Sequence, residues 1–260
     1  MLSELHLRDV GPAPKLDVEF AERLNIFTGD NGLGKTFLLD CAWWALTGMW
    51  REEPSPQRGE NKQPHVGAVF GGSHWSTDVP AFSAGFSRGS QMWYSSMTGH
   101  LTRSLVIYAG VDGRFSVFDP IRNHNPTPAE LETLRVATKG SVTYKDRASP
   151  SVYQFSQSTL WNGLKQGETV YCNGLIQDWA HWQLLSLQPG SSSPFAILGQ
   201  VLKILSHPDE PMAPGFLTRA LLDDARDIPT IRLPYGEVPI TQASAGMKRI
   251  VNLAYLLVWT

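Results

Sequence analysis

Residues 29–36, Gly29-Asp30-Asn31-Gly32-Leu33-Gly34-Lys35-Thr36, fit the pattern G-x-x-x-x-G-K-[ST] with both glycines, the lysine and the hydroxyl in place. At ordinary residue frequencies a chain of this length meets that pattern by chance roughly once in a hundred times. The glycines let the backbone curl close to an anion without a Cβ in the way. A helix starting at Lys35 turns its unpaired N–H groups and the positive end of its dipole toward that anion. In this arrangement Lys35 reaches the β- and γ-phosphate oxygens of a nucleoside triphosphate, and the Thr36 hydroxyl is a ligand of Mg²⁺. The alternative is an ordinary glycine-rich turn with an accidental Lys-Thr, and the flanking sequence decides between the two.

Upstream, Leu24-Asn25-Ile26-Phe27-Thr28 reads as a short, buried strand feeding the loop. Downstream, 35–47 places Leu38, Cys41, Ala42 and Ala45 at helical spacing and stops at Gly48, a glycine C-cap. Earlier still, Leu2, Leu5 and Leu7 stand among polar neighbours and 16–20 alternates strictly. Gly11-Pro12-Ala13-Pro14 between them is turn chemistry, so the two runs predict an antiparallel ribbon.

The 260 residues suggest one large domain or two small ones, either able to bury a core. With 22 Lys+Arg against 24 Asp+Glu there is no global field to gather nucleic acid. Cys41 and Cys172 are too few for a disulfide framework and sit among apolar neighbours, which fits a reducing cytoplasm. The N-terminus lacks a basic region followed by an apolar one. The longest apolar run, 250–259, is broken by Asn252 and far below a membrane span, so the expectation is a soluble, unprocessed cytoplasmic protein.

Beyond the first helix, the proline-broken polar stretch 50–64 reads as a surface loop, and the texture then becomes β-like. Strands are predicted at 82–86, 92–94, 105–108 and 115–118, the last two joined by a turn at Val111-Asp112-Gly113-Arg114. Thr127-Pro128-Ala129-Glu130 carries a capping-box signature for a helix. Helices follow at 174–187 and 195–205, the second introduced by Ser193-Pro194, with a proline-rich loop at 208–215. A hairpin is predicted from 230–233 and 238–240, and a last helix over 244–259. Trp43, Trp44, Trp179 and Trp182 lie in helical patterns and read as core side chains rather than base-stacking ones. The seven histidines form no H-E-x-x-H or Cys/His cluster, so zinc is not supported.

Near the C-terminus, Ala243-Ser244-Ala245-Gly246-Met247-Lys248-Arg249 precedes an apolar helix. Together with 2–48, this segment resembles the ABC-type ATPases of the SMC, RecF and OLD kind, including bacterial AAA-family proteins of the AbiEii-toxin-like and phage-defence type. The two segments cover somewhat more than a quarter of the chain. The resemblance implies an α/β P-loop ATPase head with an antiparallel β subdomain and a helical segment. Within a single head over 1–260, it divides the chain into opening strands, loop and first helix (1–48), a β-rich part (49–140), a helical part (141–215) and a hairpin with signature helix (216–260). It implies ATP and Mg²⁺ as cofactors, with 29–36 as the nucleotide loop. It also implies a homodimer closed around ATP, in which Ser244 and Gly246 bind the γ-phosphate held by the partner. DNA, or an effector such as a nuclease or toxin subunit, is the implied further partner. Ser244 read by itself is an N-cap, and Lys248-Arg249 could equally be a solvated helix face.

In that family the signature helix is followed by an apolar strand ending in Asp-Glu and by a histidine sensing the γ-phosphate. The order of motifs therefore implies that this sequence belongs to a longer ATPase, with the C-terminal part of its core lying beyond Thr260. Without those carboxylates the chain is expected to bind nucleotide better than it cleaves it, since cleavage needs an oriented water. An internal substitute is Ala220-Leu221-Leu222-Asp223-Asp224, which could serve a self-contained P-loop hydrolase but also reads as a charged turn. The glutamine that the family places at Mg²⁺ and the attacking water is best matched by Gln154, then Gln157. A different class, a nucleotide-switched interaction module without turnover, stays open at this point.

Overall fold

A computed structural model of the chain describes residues 1–51, 63–71, 82–87, 89–90, 92–97, 105–120, 122, 152–188, 193–219 and 225–260. The predicted loop at 50–64 lies largely, and the capping-box helix near 127 and the Asp223-Asp224 pair wholly, outside the described residues. The chain divides into two compact units, 1–108 with 116–153, and 109–115 with 154–260.

The first unit is built on a five-stranded antiparallel sheet. Its strands are β1 (Leu2–Val10), β2 (Ala13–Glu19), β3 (His65–Phe70), β4 (Phe82–Ser87) and β5 (Met92–Met97), in the order β2-β1-β3-β4-β5. The predicted ribbon forms, with Leu5 opposite Val18 and Leu7 opposite Leu16. The buried residues of β1 are Leu2, Leu5, Leu7 and Val10, so the spacing is three, two, three rather than strict alternation. A register shift against β3 between Leu2 and Glu4 absorbs the first three-residue step, and Asp9 at φ 53° accompanies the second. On the other face, His6 bridges Asp17 through Nδ1 at 2.8 Å and Glu4 through Nε2 at 3.0 Å, and Arg8 and Lys15 pair with Asp17, so this side of the ribbon is polar and charged.

Helix α1 (Lys35–Thr47) packs Leu38, Cys41, Ala42, Trp44 and Ala45 against the apolar side of the sheet, where Leu5, Leu7, Val66 and Ala68 are fully enclosed. It ends as predicted. Gly48 sits at φ 72° and its N–H donates to the Trp44 carbonyl. Trp44 stacks on Trp50 at 4.1 Å and meets Trp93 edge-on at 5.1 Å. Strands β6 (Val106–Ala109) and β7 (Phe115–Phe118) form the expected hairpin.

The second unit contains β8 (Tyr153–Phe155) from Gln154 onward, α2 (Gln157–Asn162), the hairpin β9 (Leu164–Gln166) and β10 (Thr169–Cys172), α3 (Leu175–Ser186) and α4 (Pro194–Leu205). A three-stranded antiparallel sheet, β11 (Ala213–Thr218), β12 (Ile228–Leu233) and β13 (Gly236–Pro239), precedes α5 (Ala245–Trp259). Helix α4 starts where Ser193-Pro194 predicts: the Ser193 hydroxyl accepts from the Phe195 N–H at 3.1 Å and donates to the Trp182 carbonyl at 2.9 Å. The predicted tryptophans are core, with Trp43, Trp44, Trp179 and Trp182 all buried, and both cysteines are free and buried. Strand β11 begins inside the stretch read as a proline-rich loop, because it lies on the edge of its sheet, where Pro214 does not have to donate on both sides.

One expectation fails. Residues 24–28 do not form a strand, and Leu24 and Ile26 are 72% and 75% exposed. The apolar alternation favours extended backbone, but a strand exists only when a neighbour takes its N–H and C=O groups, and no described strand pairs with this segment. Only Phe27 turns inward, edge-on to Phe20 at 6.1 Å. Ile26→Ser is therefore expected to change unfolding free energy by less than about 0.5 kcal/mol. Leu5→Ala in the same unit should cost about 2–5 kcal/mol. Urea titrations of the two variants check the contrast.

Candidate nucleotide site

The loop of 29–36 closes onto the first turn of α1 through three glycines in the left-handed region, Gly29 at φ 138°, Gly32 at 88° and Gly34 at 83°. Gly34 is the N-cap of α1 and has no side chain to offer, so no capping hydrogen bond covers the first-turn N–H groups. The first α-helical bond of that turn runs from Leu38 N–H to the Gly34 carbonyl at 2.9 Å. The first turn also lacks an acidic residue that could neutralise the dipole. Among the described residues nothing claims the first-turn donors at the positive end of this helix, which is the chemistry of an anion site.

Lys35 folds back over these donors. Its Nζ donates to the Gly29 and Asp30 carbonyls, both at 2.6 Å. The ammonium thus sits inside the loop, with one N–H still to give. Asp30, Asn31, Gly32 and Leu33 form the exposed rim, and Thr36 presents its side chain at the surface beside them. The loop is braced from behind by the β1–β2 turn. A Cβ added at Gly11 would run into the Phe37 ring, and one added at Gly34 would stand 3.0 Å from Pro12 Cγ.

The other sequence-predicted residues lie in the second unit. Ser244 is the N-cap of α5, accepting from the Met247 N–H at 3.3 Å, and Ser244, Ala245 and Gly246 are all exposed. This is a second helix N-terminus with its hydroxyl and glycine at the surface. The basic pair behind it is not a solvated face. Arg249 donates to the Ala109 carbonyl at 3.3 Å and to that of Gly110, while Lys248 lies 6.0 Å from the centre of the Trp161 ring. Gln154 is exposed in β8 and Gln157 opens α2. The loop residues 29–36 form one continuous site, whereas Ser244, Gly246 and Gln154 are positioned by elements of the other unit. Among the described residues no cluster of three or more His, Cys, Asp or Glu could hold a metal ion, and no helix is long and apolar enough to cross a membrane.

A polar network inside the second unit escaped sequence reasoning. The Tyr255 hydroxyl donates to Asp178 Oδ2 at 2.7 Å and lies 3.0 Å from Cys172 Sγ. Asn173 Nδ2 donates to Asp178 Oδ1 at 2.9 Å. Tyr255 stands 77 residues from Asp178 in the chain, so no local spacing announces the contact.

With the loop, its helix and the bracing turn in view, comparison with known proteins becomes informative. Residues 4–81 match the family model of an AAA domain. The matched segment takes in β1 from Glu4 onward, β2, the whole of 29–36, α1 and β3. It spans less than a third of the chain and lies wholly within the residues of the first unit. A solved structure of the recombination mediator protein RecF with ATP, from the RecFOR pathway, aligns at 12% identity over 99% of this chain and 79% of that one, with a TM-score of 0.40. No curated protein matches.

The backbone requirement at residues 29–36 is testable apart from any ligand. Gly34→Ala forces a left-handed residue against Pro12, and Gly32→Ala forces the same conformation into open space. Each is expected to lower stability by about 1–2 kcal/mol, with Gly34→Ala the more damaging, as read from urea midpoints.

Proposed function

We propose that the chain binds ATP with Mg²⁺ through 29–36 and serves as the head of an ABC/SMC-like ATPase. The observation that carries this reading is the uncapped first turn of α1, with left-handed glycines around it and Lys35 Nζ already inside the loop. Those groups match a polyphosphate. Backbone N–H groups of the loop and the first turn donate to its oxygens, and Lys35 gives its remaining N–H to a phosphate oxygen. Thr36 would offer its hydroxyl to Mg²⁺, which would supply charge neutralisation for the phosphates.

In this reading two heads close around ATP, and Ser244 and Gly246 of one protomer meet the γ-phosphate held on the loop of the other. An exposed serine-capped helix N-terminus supports that role, since it offers a hydroxyl and backbone donors at the surface. Closure drives a DNA-related or defence effector, such as a nuclease or toxin subunit, in the cytoplasm. Gln154 is the candidate for orienting the attacking water. Asp223 and Asp224 are the candidates for the Mg²⁺ carboxylate if turnover is self-contained; in the longer-ATPase reading the Asp-Glu strand supplies it.

Two measurements test this. Lys35→Ala should weaken binding of a fluorescent ATP analogue at least about tenfold, the loss of one or more charge-assisted hydrogen bonds; unchanged affinity overturns the loop assignment. Sedimentation velocity with ATP and Mg²⁺ should show a dimer that Ser244→Arg abolishes while leaving nucleotide affinity intact. A chain that stays monomeric at saturating ATP refutes the head reading.

A further inference from the structure

The phosphate loop carries an anion of its own. Between Gly29 and Thr36 the charged side chains are Asp30 and Lys35, so their formal charges cancel. Two other carboxylates of the first unit are matched, Asp40 by Arg51 and Asp17 by Arg8 and Lys15. Asp30 is exposed, and among the described residues no Lys, Arg or His pairs with its carboxylate and no N–H or O–H donates to it. An aspartate in a turn ordinarily accepts from the backbone two residues on, so the local role that would account for this residue is not in use.

Whatever rotamer it takes, the carboxylate stays near the position of a bound anion. The Asp30 carbonyl accepts from Lys35 Nζ at 2.6 Å. A side-chain carboxylate lies no more than roughly 5 Å from the carbonyl oxygen of its own residue, which keeps this one within roughly 8 Å of the ammonium. A phosphate oxygen taking the last N–H of Lys35 is then within roughly 11 Å of it. At that range two unit charges in water at low ionic strength shift an equilibrium about twofold, and by more where the ligand displaces water.

With Lys35 offset by Asp30, the attraction left to the loop is that of its backbone N–H groups and of about half a unit charge at the N-terminus of α1. A metal-free nucleoside triphosphate brings about four negative charges to this site and its Mg²⁺ complex about two. Repulsion by Asp30 is therefore about twice as large for the first. The metal fits the residues present: Mg²⁺ carried by phosphate oxygens and water asks little of a protein, and Thr36 has a hydroxyl at the surface beside the rim.

On the nucleotide reading of 29–36, on which this rests, we infer that Asp30 is a specificity-determining residue. Its carboxylate sets the loop against metal-free nucleotide and thereby selects the Mg²⁺ complex. An uncharged side chain at this position would let the loop hold both forms more tightly and tell them apart less well.

Titration of the 260-residue chain with a fluorescent ATP analogue at low ionic strength, once with Mg²⁺ and once with EDTA, tests the assignment. At about twofold per charge, Asp30→Asn should tighten the metal-free nucleotide about fifteenfold and the complex about fourfold, narrowing the ratio of the two dissociation constants about fourfold. Asp30→Glu keeps the charge and should leave that ratio within about twofold of the parent's. In about 1 M KCl, where the Debye length is about 3 Å, the difference between parent and Asp30→Asn should disappear. An unchanged ratio in folded Asp30→Asn, judged by its thermal melt, overturns the inference, as does a change that persists at high salt. Weaker binding of the Mg²⁺ complex by that variant overturns it too, since the carboxylate would then be a ligand of the metal. Asp30→Ser carries the same expectations and decides if the asparagine variant does not fold. Failure of the nucleotide reading itself looks different: the parent chain would bind the Mg²⁺ complex no better than Lys35→Ala does.

Discussion

The seating of α1 on the inner face of the five-stranded sheet is the contact on which the candidate nucleotide site depends. Leu38, Cys41, Ala42 and Ala45 meet Leu5, Leu7, Val66 and Ala68, and these residues are nearly all removed from water. At about 25 cal/mol per Å² of apolar surface, burial of this kind is worth several kcal/mol, enough to fix the helix as a body. The N-terminus of α1 is then fixed as well, and the loop must close between that point and the ribbon turn. Gly11 and Gly34 are small because Phe37 and Pro12 occupy the space where a Cβ would go. The loop's shape is thus imposed from both sides, by packing behind it and by glycine conformation within it.

The site was legible in the sequence because its chemistry is local. A phosphate loop is made of consecutive backbone groups, one lysine and one hydroxyl, so eight adjacent residues describe it. Helix ends were legible for the same reason. Ser193-Pro194 and Gly48 satisfy or terminate their own helices, and Ser244 caps the helix it precedes. The ribbon was legible from period-two alternation, although that pattern did not foretell the two three-residue steps in β1. Strand 24–28 failed because strand formation is a property of two segments, and the sequence shows only one of them. Helix α2 was missed for a smaller reason: it has six residues, and Thr159 rather than Glu or Gln completes its capping box with Ser156. The strands β9 and β10, three and four residues long, are too short to display a period.

Contacts between distant residues account for the rest of what sequence reasoning could not reach. Trp161 Nε1 donates to Asn252 at 2.8 Å, binding α2 to α5 by a polar contact inside the second unit. Arg249, readable as a surface charge, spends its guanidinium on carbonyls at 109 and 110. The pair Lys248-Arg249 therefore contributes to the seating of α5, the helix whose N-terminus carries Ser244. Its basic character belongs to the architecture as much as to any partner.

The stacked indoles at the far end of α1 give the first unit an internal gauge. A helix of 13 residues is a rod of about 20 Å, with the phosphate loop at one end and Trp44 near the other. Trp44 is locked between Trp50 and Trp93, and the indole N–H groups of those two neighbours are buried with no hydrogen-bond partner among the described residues. Rings this close exchange excitation and respond to small changes in separation. A tilt of the rod too slight to disturb any backbone hydrogen bond would still change the angle of one ring against the others, so the fluorescence of this cluster, once excited, would depend on how α1 is seated.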